Sequence, residues 1–147
     1  MPMPTADSIF ADTNLWVNAA VPTAPSHAHA VAALGRMAVG TLWTSRQVVR
    51  EFVAVMSRPQ TFFAGNAPMA DILNRAHSIE SQCRMAEDGP EVAQQLHALL
   101  AVGDTSGKQI HDANIVATML AHRIRTLLTD NVADFARWGH LIDVRPL

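Results

Sequence analysis

The sequence predicts a three-layer α/β/α fold with a central, mostly parallel sheet of four to five strands. Short apolar segments alternate with longer amphipathic segments, and most apolar segments are followed by residues that favour the start of a helix. Strands that alternate with helices pair in parallel and carry helices on both faces of the sheet. Because the 147 residues contain no repeat and no internal linker, we expect a single domain over residues 1–147.

The strands are predicted where short apolar runs end at turn or cap residues. Ser8-Ile9-Phe10-Ala11 is the first of these runs, and it ends directly at Asp12. The five predicted strands cover residues 8–11, 41–44, 83–86, 126–129 and 141–144, with the last one at an edge of the sheet.

The helices are predicted from cap residues, apolar spacing and stop residues. Asp12, Ser26 and Ser45 are good N-caps, whereas Pro59 ends the helix before it. The predicted helices run from residue 13 to Pro22 and over about 27–39, 46–57, 68–82, 89–102, 108–123 and 131–138. The inward residues expected in the helices over 27–39 and 108–123 are Val31, Leu34 and Ala38, and Ile110, Ala113, Val116, Ala117 and Leu120.

The composition bounds the class of protein. Hydrophobic residues make up 49% of the chain, enough for a sizeable core, and the low charged fraction of 16% suggests a surface partly covered by another chain. A net charge of −2 argues against binding nucleic acid by bulk electrostatics. The single cysteine, Cys83, excludes an internal disulfide. No leader segment and no apolar run of about 18 residues is present, so a cytoplasmic protein is expected.

Four acidic residues lie where strands pass into helices or in the first turns of helices: Asp12, Glu51, Asp112 and Asp130. In a parallel sheet such places can converge on the edge formed by the carboxyl ends of the strands. Four carboxylates in one place repel each other unless a divalent cation lies among them. The pattern therefore indicates a site for Mg²⁺ or Mn²⁺, and a common use of such a site is phosphodiester hydrolysis.

Four segments of the chain carry a more specific pattern. They are Phe10-Ala11-Asp12-Thr13-Asn14, the segment from Ser45 to Phe52, and residues 107–113 together with residues 127–135. In this order and spacing they resemble the acidic motifs of PIN-domain ribonucleases, and most of all those of the VapC-type toxins of toxin–antitoxin pairs. The resemblance covers residues 8–147 and implies a PIN-like fold.

The resemblance implies roles for individual residues. It assigns Asp12, Glu51, Asp112 and Asp130 to the catalytic, metal-binding quartet of a Mg²⁺- or Mn²⁺-dependent endoribonuclease. It gives supporting roles to Thr13, Asn14, Thr129 and Asp134. It further implies an RNA substrate, a small VapB-like antitoxin that wraps the site, inhibition of translation, and a homodimer.

Other interpretations of single residues stay open. Asp12 alone could be only a helix N-cap, and Asp134 a plain surface residue. The seven histidines are scattered and are expected to lie on the surface or in satisfied positions. Lys108 could bind phosphate or merely begin a helix. Arg46, Arg50 and Arg58 could form a basic rim that binds RNA, pair with an acidic partner or be solvated. The three tryptophans and Phe62-Phe63 are expected in the core or in an interface.

Rival functions on a similar sheet are separated by particular residues. A non-catalytic RNA-binding or assembly module would be expected to lose one or more of the four acids, which this chain keeps. A receiver-type phosphoacceptor needs a lysine after a late strand, whereas Lys108 precedes a helix. A phosphatase of the haloacid dehalogenase kind needs Asp-x-Asp after the first strand, where this chain has Asp12-Thr13-Asn14.

Overall fold

The fold is a five-stranded parallel sheet flanked by helices. The computed structural model describes residues 3–59 and 67–147. The strands are β1 (Ile9–Ala11), β2 (Leu42–Thr44), β3 (Arg84–Met85), β4 (Thr126–Leu128) and β5 (Asp143–Arg145). Their order in the sheet is β3-β2-β1-β4-β5, and every pairing between them is parallel. The predicted α/β class is confirmed, with β1 in the middle of the sheet.

Seven α-helices and one short 3₁₀ turn connect these strands in the described part of the chain. The helices are α1 (Thr13–Ala20), α2 (His27–Gly35), α3 (Arg46–Met56), α4 (Met69–Gln82), α5 (Pro90–Ala101), α6 (Gln109–Ala121) and α7 (Val132–Phe135), and the 3₁₀ turn is Ala136–Trp138. Helix α1 packs against α2 and α3, α3 packs against α4, and α5 packs extensively against α6. These two groups of helices cover the sheet.

The central strands are buried because helices cover both of their faces. Phe10, Trp43 and Leu127 are all at most 4% exposed, so the middle of each of β1, β2 and β4 is removed from water. All three tryptophans, including Trp16 and Trp138, lie in the core, as their sequence context favoured. Burial of this apolar area is the main stabilising contribution to the fold.

Helix α2 is shorter than predicted and rotated relative to the prediction. It ends at Gly35, before residue 39, and its buried residues are Ala30 and Ala33. Val31 was predicted to point inward and is 48% exposed. Two small alanines allow α2 to approach α1 closely, whereas Gly35 is a poor residue for continuing the helix. Gly40 instead forms the turn before β2, where its φ of 85° suits glycine.

Two smaller differences concern the C-terminal half. Ile110 was predicted inward but is 36% exposed, because the first turn of α6 lies at the edge of the core. Strand β5 begins at Asp143, two residues later than predicted, since Ile142 is buried in the preceding turn. The pair Phe62-Phe63 lies outside the described residues. No helix in the described ranges is long and apolar enough to cross a membrane.

Candidate active site

The acidic residues meet at the edge of the sheet formed by the carboxyl ends of β1 and β4. Asp12 follows β1 directly, and Asp130 follows β4 after Thr129. Ala11 pairs with Leu128, so the parallel register brings the two strand ends side by side. Glu51 comes from the middle of α3 and Asp112 from the first turns of α6. All four carboxylates line one open cavity of about 1050 Å³.

Asp12 is the buried centre of this site. Its side chain caps α1, with Oδ1 accepting a hydrogen bond of 2.8 Å from the Thr13 amide. Its Oδ2 accepts from the Thr129 hydroxyl at 2.8 Å and from the Asn14 amide at 3.2 Å. Burial raises the pKa of Asp12, Glu51 raises it further, and these hydrogen bonds oppose the rise. The side chain is therefore both the N-cap that its sequence context allowed and a member of the acidic cluster.

Thr129 and Asn14 join the two strand ends. The Thr129 hydroxyl, which is completely buried, accepts hydrogen bonds from the Asn14 side chain at 3.1 Å and from the Asn131 amide at 3.0 Å. Oδ1 of the Asn14 side chain accepts a hydrogen bond of 2.8 Å from the backbone amide of Asp130. Uncharged groups thus fix the backbone around two of the acids without neutralising either carboxylate.

Glu51 is oriented by one donor on each carboxylate oxygen. The Thr13 hydroxyl donates to Oε2 at 2.9 Å, and the Gln47 amide donates to Oε1 at 3.0 Å. The partly buried position of Glu51 agrees with its predicted place at the edge of the apolar stripe of α3.

Asp112 experiences the charges of the other acids most directly. Partial burial raises its pKa to about 6, together with the negative charges of Asp12, Asp134 and Glu51, while His111 opposes the rise. Asp112 is therefore held in an environment that disfavours its negative charge in the absence of a cation.

The remaining two acids lie at the outer rim of the cavity. Asp130 is exposed, and its Oδ2 accepts a hydrogen bond of 3.0 Å from the Ser26 hydroxyl. Asp134, at the start of α7, is exposed and lines the same cavity. Its charge acts on Asp112, so it is part of the electrostatic cluster and not an isolated surface residue.

The donor set fits a hard divalent cation. Carboxylate oxygens are the ligands that Mg²⁺ and Mn²⁺ prefer, and a cation would relieve the repulsion at Asp112. Within residues 3–59 and 67–147, no three acidic, histidine or cysteine side chains stand close enough to hold an ion by themselves. Because Mg²⁺ keeps several of its water molecules when it binds, it needs only one or two direct carboxylate ligands.

Basic residues are placed unevenly around the site. Lys108, His111 and Arg58 line the cavity together with the acids. Arg46 does not line the cavity. Its guanidinium instead pairs with Glu80 at 3.0 Å and with Glu87 at 2.8 Å. These ion pairs connect α3 to α4 and to the segment after β3. Arg46 is therefore neither part of an RNA-binding rim nor a side chain that contacts only water.

Sequence reasoning assigned no role in the site to three polar residues that support the acids: Ser26, Gln47 and Asn114. Ser26 was predicted only as the N-cap of α2, and its side chain makes no capping hydrogen bond there. Ser26 contacts Asp130, and Asn114 contacts Gln47. A signal was present for Gln47, since it precedes Glu51 by four residues and therefore shares its helix face. Nothing in the local sequence connects Ser26 to Asp130, because 104 positions separate them along the chain.

Comparisons with known proteins agree with this geometry. The fold is similar to that of the sarcin–ricin-loop-cleaving toxin VapC20 of Mycobacterium tuberculosis, with 20% identity over 82% of this chain and 87% of that chain, and a TM-score of 0.65. A toxin–antitoxin complex from Klebsiella pneumoniae gives 20% identity over 94% of this chain and 96% of that chain, with a TM-score of 0.67.

VapBC2 of Rickettsia felis, bound to a promoter DNA fragment, contains a chain with 18% identity to this one. The match covers 94% of this chain and 97% of that chain, with a TM-score of 0.64. At such identities the likeness establishes the fold alone. No curated protein matches the sequence significantly. The PIN domain family matches residues 9–140, which is most of the chain, and the protein belongs to the PIN domain family.

Proposed function

We propose that this protein is a metal-dependent endoribonuclease that hydrolyses RNA phosphodiester bonds as the toxin of a toxin–antitoxin pair, and so inhibits translation. The observation that carries the proposal is the convergence of Asp12, Glu51, Asp112 and Asp130 on one open cavity. Burial there, together with the negative charges of Asp12, Asp134 and Glu51, raises the pKa of Asp112 to about 6. Clustered negative charges destabilise a fold unless a cation binds among them, so their presence indicates a cation site.

The residues divide into ligands and supports. Asp12 and Asp112 are the proposed direct ligands of Mg²⁺ or Mn²⁺, because Asp12 is central and fixed and Asp112 gains most from a cation. Glu51 and Asp130 would hold the ion through water or hold a second ion. When bound, the ion supplies activation of a water molecule and charge neutralisation at the phosphate.

The other cavity residues would orient the site and the substrate. Thr13, Asn14 and Thr129 fix the carboxylates through the hydrogen bonds described above. Asp134 adds negative charge beside Asp112. Lys108 and Arg58 lie on the cavity wall, where their positive charges can attract the phosphates on either side of the cleaved bond.

The proposed partners are RNA, a small VapB-like antitoxin and a second copy of the chain. Structural neighbours from Klebsiella pneumoniae and Rickettsia felis are toxin–antitoxin complexes, and the charged fraction of 16% leaves an apolar surface to be covered. A cytoplasmic location belongs to the same proposal, because cellular RNA is the substrate. A gene for a small protein immediately upstream would support the antitoxin.

The decisive experiment is the cleavage of total cellular RNA by protein freed of any co-purified partner, in Mg²⁺, Mn²⁺ or EDTA. We expect discrete fragments with either metal and none with EDTA. Asp12→Asn and Asp112→Asn should lose at least about 100-fold in rate, as expected for loss of a group that binds a catalytic ion.

The matched control is Asp71→Asn, which removes an exposed carboxylate of α4 that lies outside the cavity. This variant should cleave as the wild type does. Equal cleavage in EDTA, or by Asp12→Asn, would show that the mechanism is wrong. Folded wild-type protein that cleaves nothing in either metal would favour the non-catalytic RNA-binding or assembly module.

A further inference from the structure

Gln47 lies behind Glu51 and contacts three different parts of the site. Its Nε2 donates to Glu51 Oε1 at 3.0 Å and to the backbone carbonyl of His111 at 2.8 Å. Its Oε1 accepts a hydrogen bond of 2.7 Å from the side chain of Asn114. Gln47 does not line the cavity, so it can act on the site only through the residues that it holds.

The orientation of this amide follows from its partners. The His111 carbonyl and the Glu51 carboxylate can only accept hydrogen bonds, so the NH₂ group of Gln47 must face them. Asn114 then fixes the opposite end by donating to the Gln47 carbonyl oxygen. Both hydrogens of the amide are used, and a flipped amide would place its oxygen against two acceptors.

The consequence is a connection between α3 and α6. Gln47 and Glu51 are four residues apart on α3, and His111 immediately precedes Asp112 on α6. The contact through Gln47 therefore fixes the Glu51 carboxylate relative to the backbone that carries Asp112. Thr13 holds the other oxygen of Glu51 from α1, so the position of Glu51 is determined by three helices.

We propose that Gln47 is a positioning residue that sets the spacing of Glu51 and Asp112 for metal binding, with Asn114 acting through it. This inference rests on the proposed function, since it assigns the two acids to a cation site. A glutamine suits the position because an asparagine is one methylene shorter and a glutamate would place a third acceptor against Glu51 and His111.

The test measures Mn²⁺ binding by calorimetry on the metal-free protein and, separately, the kcat and KM for RNA cleavage. Gln47→Met keeps the length of the side chain and removes its hydrogen bonds. It should weaken Mn²⁺ binding at least about 10-fold, in line with other residues that orient metal ligands. The kcat at fixed Mn²⁺ should fall while the KM for RNA stays unchanged, because Gln47 does not reach the cavity.

Asn114→Ala should give a smaller loss in the wild-type background and no further loss when Gln47→Met is already present. Gln94→Met is the control, since Gln94 is an exposed glutamine of α5 away from the cavity, and it should bind Mn²⁺ as the wild type does. Circular dichroism establishes that each variant is folded. If Gln47→Met does not fold, Gln47→Asn replaces it with the same expected direction.

The outcomes separate this inference from the proposed function. Wild-type protein that neither binds Mn²⁺ nor cleaves RNA would overturn the proposed function and this assignment with it. Wild-type protein that does both, while Gln47→Met behaves identically, would overturn only the role of Gln47. Fully additive losses from Gln47→Met and Asn114→Ala would show that Asn114 does not act through Gln47.

Discussion

At the scale of single residues, the raised pKa of Asp112 has a consequence for stability. Its pKa of about 6 lies above the ordinary value of 3.8 because of burial and the neighbouring acids. This difference corresponds to about 3 kcal/mol, which solvent screening of this partly exposed group reduces to about 1 kcal/mol. The metal-free protein therefore carries a destabilising charge in its proposed active site.

We expect Asp112→Asn to raise the free energy of unfolding of the metal-free protein by about 1 kcal/mol at pH 7.5. Thermal and urea unfolding in EDTA measure the change. A loss of several kcal/mol would instead show that Asp112 belongs to a buried network that the fold needs.

The pH dependence provides the control for this prediction. The folded protein binds the Asp112 proton more tightly than the unfolded chain does, so the stabilisation from this group is complete below about pH 4 and is lost as pH rises through about 6. The difference between wild type and Asp112→Asn should therefore grow between these values and level off above them. A difference that does not change with pH would assign the effect to packing.

At the scale of the elements, α3 depends on its first turn. Ser45 is buried and its hydroxyl accepts a hydrogen bond of 3.3 Å from the Val48 amide, which makes it the N-cap that the sequence predicted. Because α3 carries both Gln47 and Glu51, a loosened first turn would also disturb the proposed metal site.

Ser45→Ala should lower the free energy of unfolding by about 1 kcal/mol, the usual cost of losing a serine cap. Equilibrium urea unfolding measures this cost. Ser81→Ala is the matched control, because Ser81 is exposed at the end of α4 and its hydroxyl donates to the Ser78 carbonyl within the same helix. That control should change stability by less than about 0.5 kcal/mol, and equal losses in the two variants would contradict a capping role.

The element boundaries show which signals the sequence carries. Helix α3 was predicted closely because Ser45 and Pro59 mark its ends and its apolar stripe is continuous. Helix α2 was predicted too long because its end was assigned to Gly40, whereas the helix already ends at Gly35. The contact of Ala30 and Ala33 with the core decides which face is inward. Local patterns therefore predicted the presence of elements better than their rotation.

At the scale of the whole molecule, a bound cation should stabilise the fold. Mn²⁺ at 100 times its dissociation constant adds about 2.7 kcal/mol to the free energy of unfolding, which corresponds to a rise of several degrees in Tm. Thermal unfolding with and without Mn²⁺ measures the rise. It should disappear in Asp12→Asn and persist in Asp71→Asn, whereas an equal rise in both variants would place the ion outside the acidic cavity.

The convergence of Asp12 and Asp130 could be predicted from the sequence because it depends on topology. Asp12 and Asp130 follow strands, and parallel neighbouring strands bring their ends together whatever the side chains are. The hydrogen bonds from Ser26 to Asp130 and from Gln47 to the His111 carbonyl could not be predicted, since they depend on how loops and helices are rotated against each other. The pKa of Asp112 follows from the same three-dimensional arrangement.

The strand order has one further consequence. From β1 the sheet grows outward through β2 and β3 on one side, and through β4 and β5 on the other. The chain therefore winds in opposite directions from the β1–β4 pair, which is a topological switch point, and the segments leaving these two strands diverge and open a crevice. The path of the backbone forms this crevice, and the carboxylate side chains do not. A variant that lacks all four acids should thus keep the groove and, under the proposed function, should compete with the wild-type protein for RNA without cleaving it.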